Sequence, residues 1–127
     1  MNAVPSLFSC DEIDEAVAWR RELHQMPELA FQEHRTAAFV AERLASFGLK
    51  VTTGIGGTGV VATLSRGTSS RVIGLRADMD ALAIHEATGL TYASKNVGRM
   101  HACGHDGHTA MLLAAARTLA KSDEIDG

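Results

Sequence analysis

The sequence predicts an α/β domain in which a partial mixed β-sheet is flanked by helices. Two amphipathic stretches with helical spacing open the chain, three short segments rich in β-branched residues follow, and another helix-forming stretch comes late. A length of 127 residues suits one compact domain, and a content of 46% hydrophobic and 21% charged residues allows a buried core. The sequence contains no internal repeat or low-complexity segment that would indicate a second domain.

Two helices are expected in the first part of the chain. Ser9 and Glu12 have the spacing of a capping box, and the apolar residues that follow predict a helix over about 11–25. A second helix is expected over about 35–47, with Gly48 in a left-handed conformation after its end. The apolar residues that this helix should turn inward are Phe39, Val40, Leu44 and Phe47.

Three short strands are expected next, and the last two should form a hairpin. Their ranges are Leu49–Thr53, Gly59–Leu64 and Val72–Ala77. The GIGGTG segment before the second strand lacks the lysine and the spacing of a phosphate-binding loop, so it predicts a tight turn. A long connection, Asp78–Asp106, then precedes the helix-forming stretch HTAMLLAAARTLAK. Loops of that length inside a compact domain are usually functional.

Charge and composition argue against several classes of partner. The net charge of −3, from 12 basic and 15 acidic residues, gives no general attraction for nucleic acid or for an anionic membrane. The longest apolar run, Ala110–Ala116, is too short to cross a bilayer, and the first residues have no secretory pattern. Cys10 and Cys103 are expected to be free thiols in a reducing compartment, which predicts a cytoplasmic protein.

The densest group of potential metal ligands is the stretch MHACGHDGH at residues 100–108, which we call the histidine loop. Cys103 and His105, two residues apart, supply a thiolate and an imidazole, a donor pair suited to Zn²⁺ or another late first-row metal. Two alternatives stay open at this point. Cys103 could be a buried, inert side chain beside histidines that cap the next helix, or a reactive thiol that acts as a nucleophile.

A second polar group, Asp78 and Asp80, follows the third predicted strand, at the end where open α/β sheets place their active-site residues. Side chains two apart on a strand share a face, so these carboxylates would repel unless Arg76 or a metal offset their charge. Solvated aspartates in a turn are the alternative interpretation. The histidines expected to be ordinary surface or capping residues are His24, His34 and His85.

Four stretches of the chain share their pattern with a known family. They read RRELHQMPELAFQEHRTA, GIGGTGVVATL, LRADMDALAIHEATG and ASKNVGRMHACGHDGHTAMLLAAARTLA. The chain resembles the M20 metallopeptidase family, in its branch of N-acyl-amino-acid and hippurate-type amidohydrolases. In order, the stretches are similar to the family's opening helix and turn, its early hairpin, its aspartate loop, and its metal loop with the following helix. The last two motifs are long and specific.

The resemblance implies a hydrolase that holds two divalent metal ions, with Zn, Mn, Co or Ni as candidates, and that cleaves small N-acyl amino acids. Cys103 and His105 match the family's first metal ligands, and Asp80 matches an aspartate that supports the metal site. Asp78 stands where other branches carry a histidine ligand, and its role stays open, as do those of Asp106 and His108. The family's proton-transferring glutamate belongs to a Glu-Glu pair beyond the matched region.

The resemblance also bears on domain organisation. Residues 1–127 are expected to be the N-terminal part of a catalytic domain, without the lid or dimerisation domain and the C-terminal part, and to be inactive alone. A homo-oligomeric intact protein is compatible with the family. The alternative, from a different class, is a non-catalytic metal-binding or interaction module from a truncated reading frame that uses the same residues.

Overall fold

Three helices and one β-hairpin make up the regular structure of residues 8–127, the part of the chain that the computed structural model describes. In chain order the elements are α1 (Cys10–Gln25), α2 (His34–Ser46), β1 (Lys50–Ile55), β2 (Gly59–Thr63) and α3 (His105–Lys121). The predicted α/β class is therefore confirmed. The prediction about a secretory leader concerns mainly residues 1–7, which lie outside the described residues.

The two N-terminal helices begin and end close to their predicted positions. At the start of α1 the Ser9 hydroxyl accepts a hydrogen bond from the Glu12 backbone at 3.2 Å, and the Ser9 backbone donates to the Glu12 carboxylate at 3.0 Å. The predicted capping box is thus confirmed, and it satisfies two N–H groups that the helix itself leaves unpaired. Gly48, just beyond α2, has the expected left-handed backbone with a φ of 83°.

The hydrophobic core lies between the three helices. Apolar side chains of α1, α2 and α3 meet there, and the hairpin packs against α2 with Val51, Val60 and Ala62 at the edge of the core. Burial of these side chains is the main stabilising contribution to the fold. The buried core residues are Trp19, Leu23, Met26, Phe39, Val40, Leu44, Ala110, Leu113 and Ala114. No helix among residues 8–127 is long and apolar enough to cross a membrane.

The sheet is smaller than the sequence predicts. β1 pairs with β2 in antiparallel register, from Lys50 opposite Thr63 to Ile55 opposite Gly59, so the hairpin joins the first two predicted strands. The tight turn between them is confirmed, since the Gly57 backbone donates to the Gly54 carbonyl at 3.2 Å. The other prediction, that the second and third strands form a hairpin, was wrong.

The predicted third strand, Val72–Ala77, is not a strand in the structure. Its composition favours extended backbone, but a strand is stable only beside another strand. Within residues 8–127 no segment pairs with it, and Val72 and Ile73 are 90% and 85% exposed. The prediction of a strand at Val72–Ala77 was therefore wrong, because composition does not reveal whether a pairing partner exists.

The long connection between β2 and α3 has no helix or ladder, yet backbone contacts hold it in place. We call residues 78–86 the aspartate segment. The Ala81 backbone donates to the Glu28 carbonyl at 2.8 Å, beside the connection between α1 and α2. Leu82 and Met100 exchange two backbone hydrogen bonds, of 2.9 and 3.0 Å. The aspartate segment is therefore fixed between the end of α1 and the start of the histidine loop.

Candidate metal centre

The histidine loop separates its polar side chains between the surface and the interior. His101 and Asp106 are buried, Cys103 and His108 are exposed, and His105 is half-buried. The separation arises because α3 begins at His105, after Gly104 in a left-handed conformation with a φ of 82°. Successive residues of a helix point about 100° apart, so His105 and Asp106 face different surroundings. The residues that cluster in the sequence are thus divided between two environments, although the rings of His105 and His108 remain 5.6 Å apart.

We call Asp80, Cys103 and His105 the outer cluster, because none of the three is buried. The His105 Nδ1 atom lies 3.0 Å from the Asp80 backbone oxygen and 3.0 Å from its carboxylate oxygen Oδ1. Both neighbours are acceptors, so Nδ1 is the protonated nitrogen, and in the neutral ring the lone pair then lies on Nε2. Nε2 makes no hydrogen bond with any of the described residues. A histidine whose second nitrogen is held by a carboxylate in this way is the usual arrangement of a metal-binding imidazole.

The predicted contact between Asp80 and a histidine of the loop is therefore confirmed as a hydrogen bond. Its role toward a metal stays a prediction. The side chains of Asp80 and His105 are 32% and 20% exposed, so the pair is open to solvent and to an incoming ion.

Cys103 has a free and exposed thiol, so the alternative of a buried, inert cysteine was wrong. A thiolate and an imidazole together suit Zn²⁺ and other late first-row metals, so the donor set of the outer cluster fits the predicted ion. The described residues nevertheless bring together no group of three side chains that could hold a metal. Catalytic zinc sites typically have about three protein ligands, so the outer cluster is only part of a coordination shell.

Asp78 has a different partner from Asp80. The Arg76 guanidinium lies 2.8 Å from the Asp78 carboxylate, and this hydrogen bond and charge hold the pKa of Asp78 below its usual range. The expectation that Arg76 offsets the charge of this carboxylate is confirmed. The Asp78 backbone oxygen also accepts a hydrogen bond of 3.0 Å from Thr109 of α3. Both side chains of the ion pair are exposed, which makes Asp78 a surface residue in this part of the protein.

Five buried or half-buried residues, two of them in the histidine loop, form what we call the inner cluster. They are Arg20, His24, Glu86, His101 and Asp106. Its centre is His24, for which the prediction of an ordinary surface or capping residue was wrong. The His24 side chain is 3% exposed, with Nδ1 2.7 Å from the Asp106 carboxylate and Nε2 3.1 Å from the Glu86 carboxylate. The local signal for this role was slight, namely the position of His24 one helical turn after Arg20.

Both carboxylates of the inner cluster have further donors. Arg20 Nε lies 2.9 Å from the same Asp106 oxygen that His24 approaches. Glu86 accepts from the Ser94 backbone at 2.6 Å and from the Thr88 hydroxyl. Burial raises the pKa of Glu86, but the hydrogen bonds from Thr88, Ser94 and His24 outweigh it and lower this pKa to about 2. Glu86 is thus a carboxylate at neutral pH.

His101 is the least satisfied member of the inner cluster. Both of its ring nitrogens are buried without a hydrogen-bond partner among the described residues, as is the Oδ1 atom of Asp106. Its ring centre lies 6.4 Å from that of His24. Burial lowers the pKa of His101, which favours the neutral imidazole. His34 and His85, by contrast, are exposed, as predicted.

Comparison with known proteins supports the resemblance. Residues 74–126 match the model of peptidase family M20/M25/M40. The chain is also 49% identical over 123 residues to a hippurate hydrolase from Campylobacter jejuni, covering 97% of this chain and 32% of that protein. A second relative, an N-acyl-L-amino acid amidohydrolase from Geobacillus stearothermophilus, is 51% identical over 119 residues, covering 92% of this chain and 32% of the relative.

A solved structure agrees with this similarity. The YXEP protein of Bacillus subtilis, described as a dinuclear metal binding peptidase from the M20 family, superposes with a TM-score of 0.85 at 38% identity. The alignment covers 89% of this chain and 32% of the YXEP chain. The chain thus spans about a third of the length of the relatives it matches. The M20 match includes the whole outer cluster, whereas Arg20 and His24 of the inner cluster precede it.

Proposed function

We propose that this chain contributes part of a divalent-metal site to an amidohydrolase that cleaves the amide bond of small N-acyl amino acids. The observation that carries the proposal is the hydrogen bond of 3.0 Å between the Asp80 carboxylate and His105 Nδ1. It orients the imidazole and leaves Nε2 available as a ligand, two residues from the exposed thiol of Cys103. The names of two relatives, hippurate hydrolase and N-acyl-L-amino acid amidohydrolase, support this substrate class.

Each residue of the outer cluster has a separate task in this proposal. Cys103 as thiolate and His105 through Nε2 bind the ion, while Asp80 accepts the Nδ1 proton and makes the imidazole a better ligand. When bound, a divalent metal would polarise the amide carbonyl and activate water. The described residues assemble no third ligand, so we assign the other ligands and the proton-transferring glutamate to other parts of the full-length protein.

The proposal also includes the number and identity of the metal ions, the cellular compartment and the domain to which the chain belongs. Two ions are proposed for the intact site, since the solved M20 relative is named as dinuclear metal binding. The thiolate donor favours Zn²⁺, with Mn²⁺, Co²⁺ and Ni²⁺ as the other candidates. Free cysteines at positions 10 and 103 are consistent with a reducing, cytoplasmic compartment. Residues 1–127 are proposed as the N-terminal part of the catalytic domain.

The test uses the full-length protein that carries this chain. We expect Cys103→Ser and His105→Ala to lose bound metal and the hydrolysis of hippurate and N-acetyl amino acids. The matched controls are Cys10→Ser and His34→Ala, because Cys10 and His34 are exposed residues outside both clusters. Metal content after dialysis and the rate of amide cleavage are the two measurements.

The outcomes separate the proposal from its alternative. Full metal content and turnover in Cys103→Ser would show that the thiol is not a ligand. A wild-type protein that binds metal through Cys103 and His105 but cleaves no amide would indicate the non-catalytic metal-binding module instead.

A further inference from the structure

We propose that His24 is a positioning residue for the metal centre, which fastens the aspartate segment to the start of α3 and so keeps Asp80 and His105 in contact. This inference rests on the proposed metal site. It extends that site to a residue of α1 that lies outside the region matching the family model.

The first argument is where the two partners of His24 lie in the chain. Asp106 is the residue after His105, and its carboxylate oxygen is 2.7 Å from His24 Nδ1. Glu86 ends the aspartate segment that contains Asp80, and its carboxylate oxygen is 3.1 Å from His24 Nε2. One imidazole therefore joins the two segments whose relative position decides whether Asp80 can reach His105.

The second argument is burial. The side chains of His24, Glu86 and Asp106 are 3% exposed or less, and the half-buried Arg20 gives Asp106 a second donor. Buried polar groups that lose a hydrogen-bond partner cannot replace it with water, so separating either pair is costly. The group therefore resists displacement of either segment.

The third argument is that backbone contacts fasten the aspartate segment in its middle and not at its end. The Ala81 backbone bonds to Glu28, and Leu82 pairs with Met100. Beyond Leu82, the contact between Glu86 and His24 is the link that connects the end of the segment to α1 and, through Asp106, to α3. The His24 side chain thus supplies a constraint that these backbone bonds lack.

The experiment measures metal affinity in the full-length protein with Co²⁺ as the probe, by competition with a chelator. The band of the cobalt–thiolate bond serves as a spectroscopic signature of the site. We expect His24→Ala to weaken Co²⁺ binding roughly 10-fold to 100-fold and to alter the band, as is typical when residues that orient metal ligands are removed. Glu86→Gln, which keeps the size of the side chain and removes its charge, should have a smaller effect in the same direction.

The control is His85→Ala, because His85 is an exposed histidine in the aspartate segment without a partner role in either cluster. Its Co²⁺ affinity should equal that of the wild type. All affinities are measured well below the unfolding temperature of each metal-free variant, so that a loss of affinity is not a loss of fold. If His24→Ala does not fold, the Co²⁺ affinity of Glu86→Gln tests the inference.

Two results would overturn the inference, and they are distinguishable. If the wild type binds Co²⁺ and folded variants at His24 and Glu86 bind it within about twofold, far less than the change expected for such partners, His24 has no positioning role and the metal site stands. If the wild type itself binds no Co²⁺, the proposed metal site fails and this inference fails with it.

Discussion

The outer and inner clusters both contain residues of the histidine loop, but His105 and His24, one in each cluster, are paired differently. In the outer cluster, His105 uses one nitrogen and Cys103 stays exposed and free. In the inner cluster, both nitrogens of His24 are bonded and the Asp106 oxygen that it meets has a second donor in Arg20. An accessible histidine with one unpaired nitrogen can bind an ion, whereas a buried histidine with both nitrogens bonded can only hold its neighbours in place.

The largest effect is expected between the 127-residue chain and the full-length protein. This comparison tests whether the outer cluster is a complete metal site. The 127-residue chain by itself should bind divalent metal weakly and hydrolyse no N-acyl amino acid. Loss of general acid–base catalysis alone is typically worth about 10²–10⁴-fold, and incomplete coordination adds to it. Assays with hippurate in the presence of Zn²⁺, Mn²⁺ or Co²⁺, beside the full-length protein, provide the measurement. Metal-dependent turnover of the short chain that Cys103→Ala abolishes would refute the incomplete-site interpretation.

The next effect contrasts a buried with an exposed carboxylate. Asp106→Ala should lower the free energy of unfolding of the metal-free full-length protein by about 3–5 kcal/mol, since it removes the buried oxygen that His24 Nδ1 and Arg20 Nε share. Asp78→Ala removes an exposed ion pair with Arg76 and should cost less than about 1 kcal/mol. Urea denaturation measures both. Equal losses of unfolding free energy in the two variants would contradict the expected difference between a buried and an exposed carboxylate.

A smaller effect is expected from the carboxylate of the outer cluster. Asp80→Ala should weaken metal binding roughly 10-fold to 100-fold without abolishing it, because the imidazole loses the acceptor that orients it. Asp80→Asn keeps an acceptor oxygen for His105 Nδ1 and should retain more affinity. Asp11→Ala, at an exposed position on α1, is the control. Chelator competition gives the affinities, and an unchanged value for Asp80→Ala would exclude the orienting role.

A further effect is a pH dependence that originates in the inner cluster. Folding lowers the pKa of Glu86 from its ordinary value of 4.5 to about 2, mostly through hydrogen bonds that overcome its burial. A depressed carboxyl pKa contributes stability that is fully present above the unfolded value and is lost as pH falls toward the folded one. The difference in unfolding free energy between wild type and Glu86→Gln should therefore shrink between about pH 5 and about pH 2. A constant difference across that range would contradict the charged hydrogen-bonded state of Glu86.

Local sequence patterns predicted the structure correctly wherever the interactions that determine it join residues close in the sequence. The capping box of Ser9 and Glu12 and the turn at Gly57 form within a few residues, and the structure has both. The prediction of a strand at Val72–Ala77 was wrong for the opposite reason. Its extended tendency is local, but strand formation depends on a partner that composition does not reveal.

The sequence by itself determined which side chains are available to the candidate site: a cysteine and a histidine two residues apart, and an aspartate at position 80. The tertiary structure decided which polar residues meet, since Asp80 and His105 are 25 residues apart and His24 and Asp106 are 82 apart. No local pattern distinguished the buried His24 from the exposed His34. That distinction arises only when α1 packs against α3 and places His24 beside two distant carboxylates, because burial and charge pairing are properties of the folded chain.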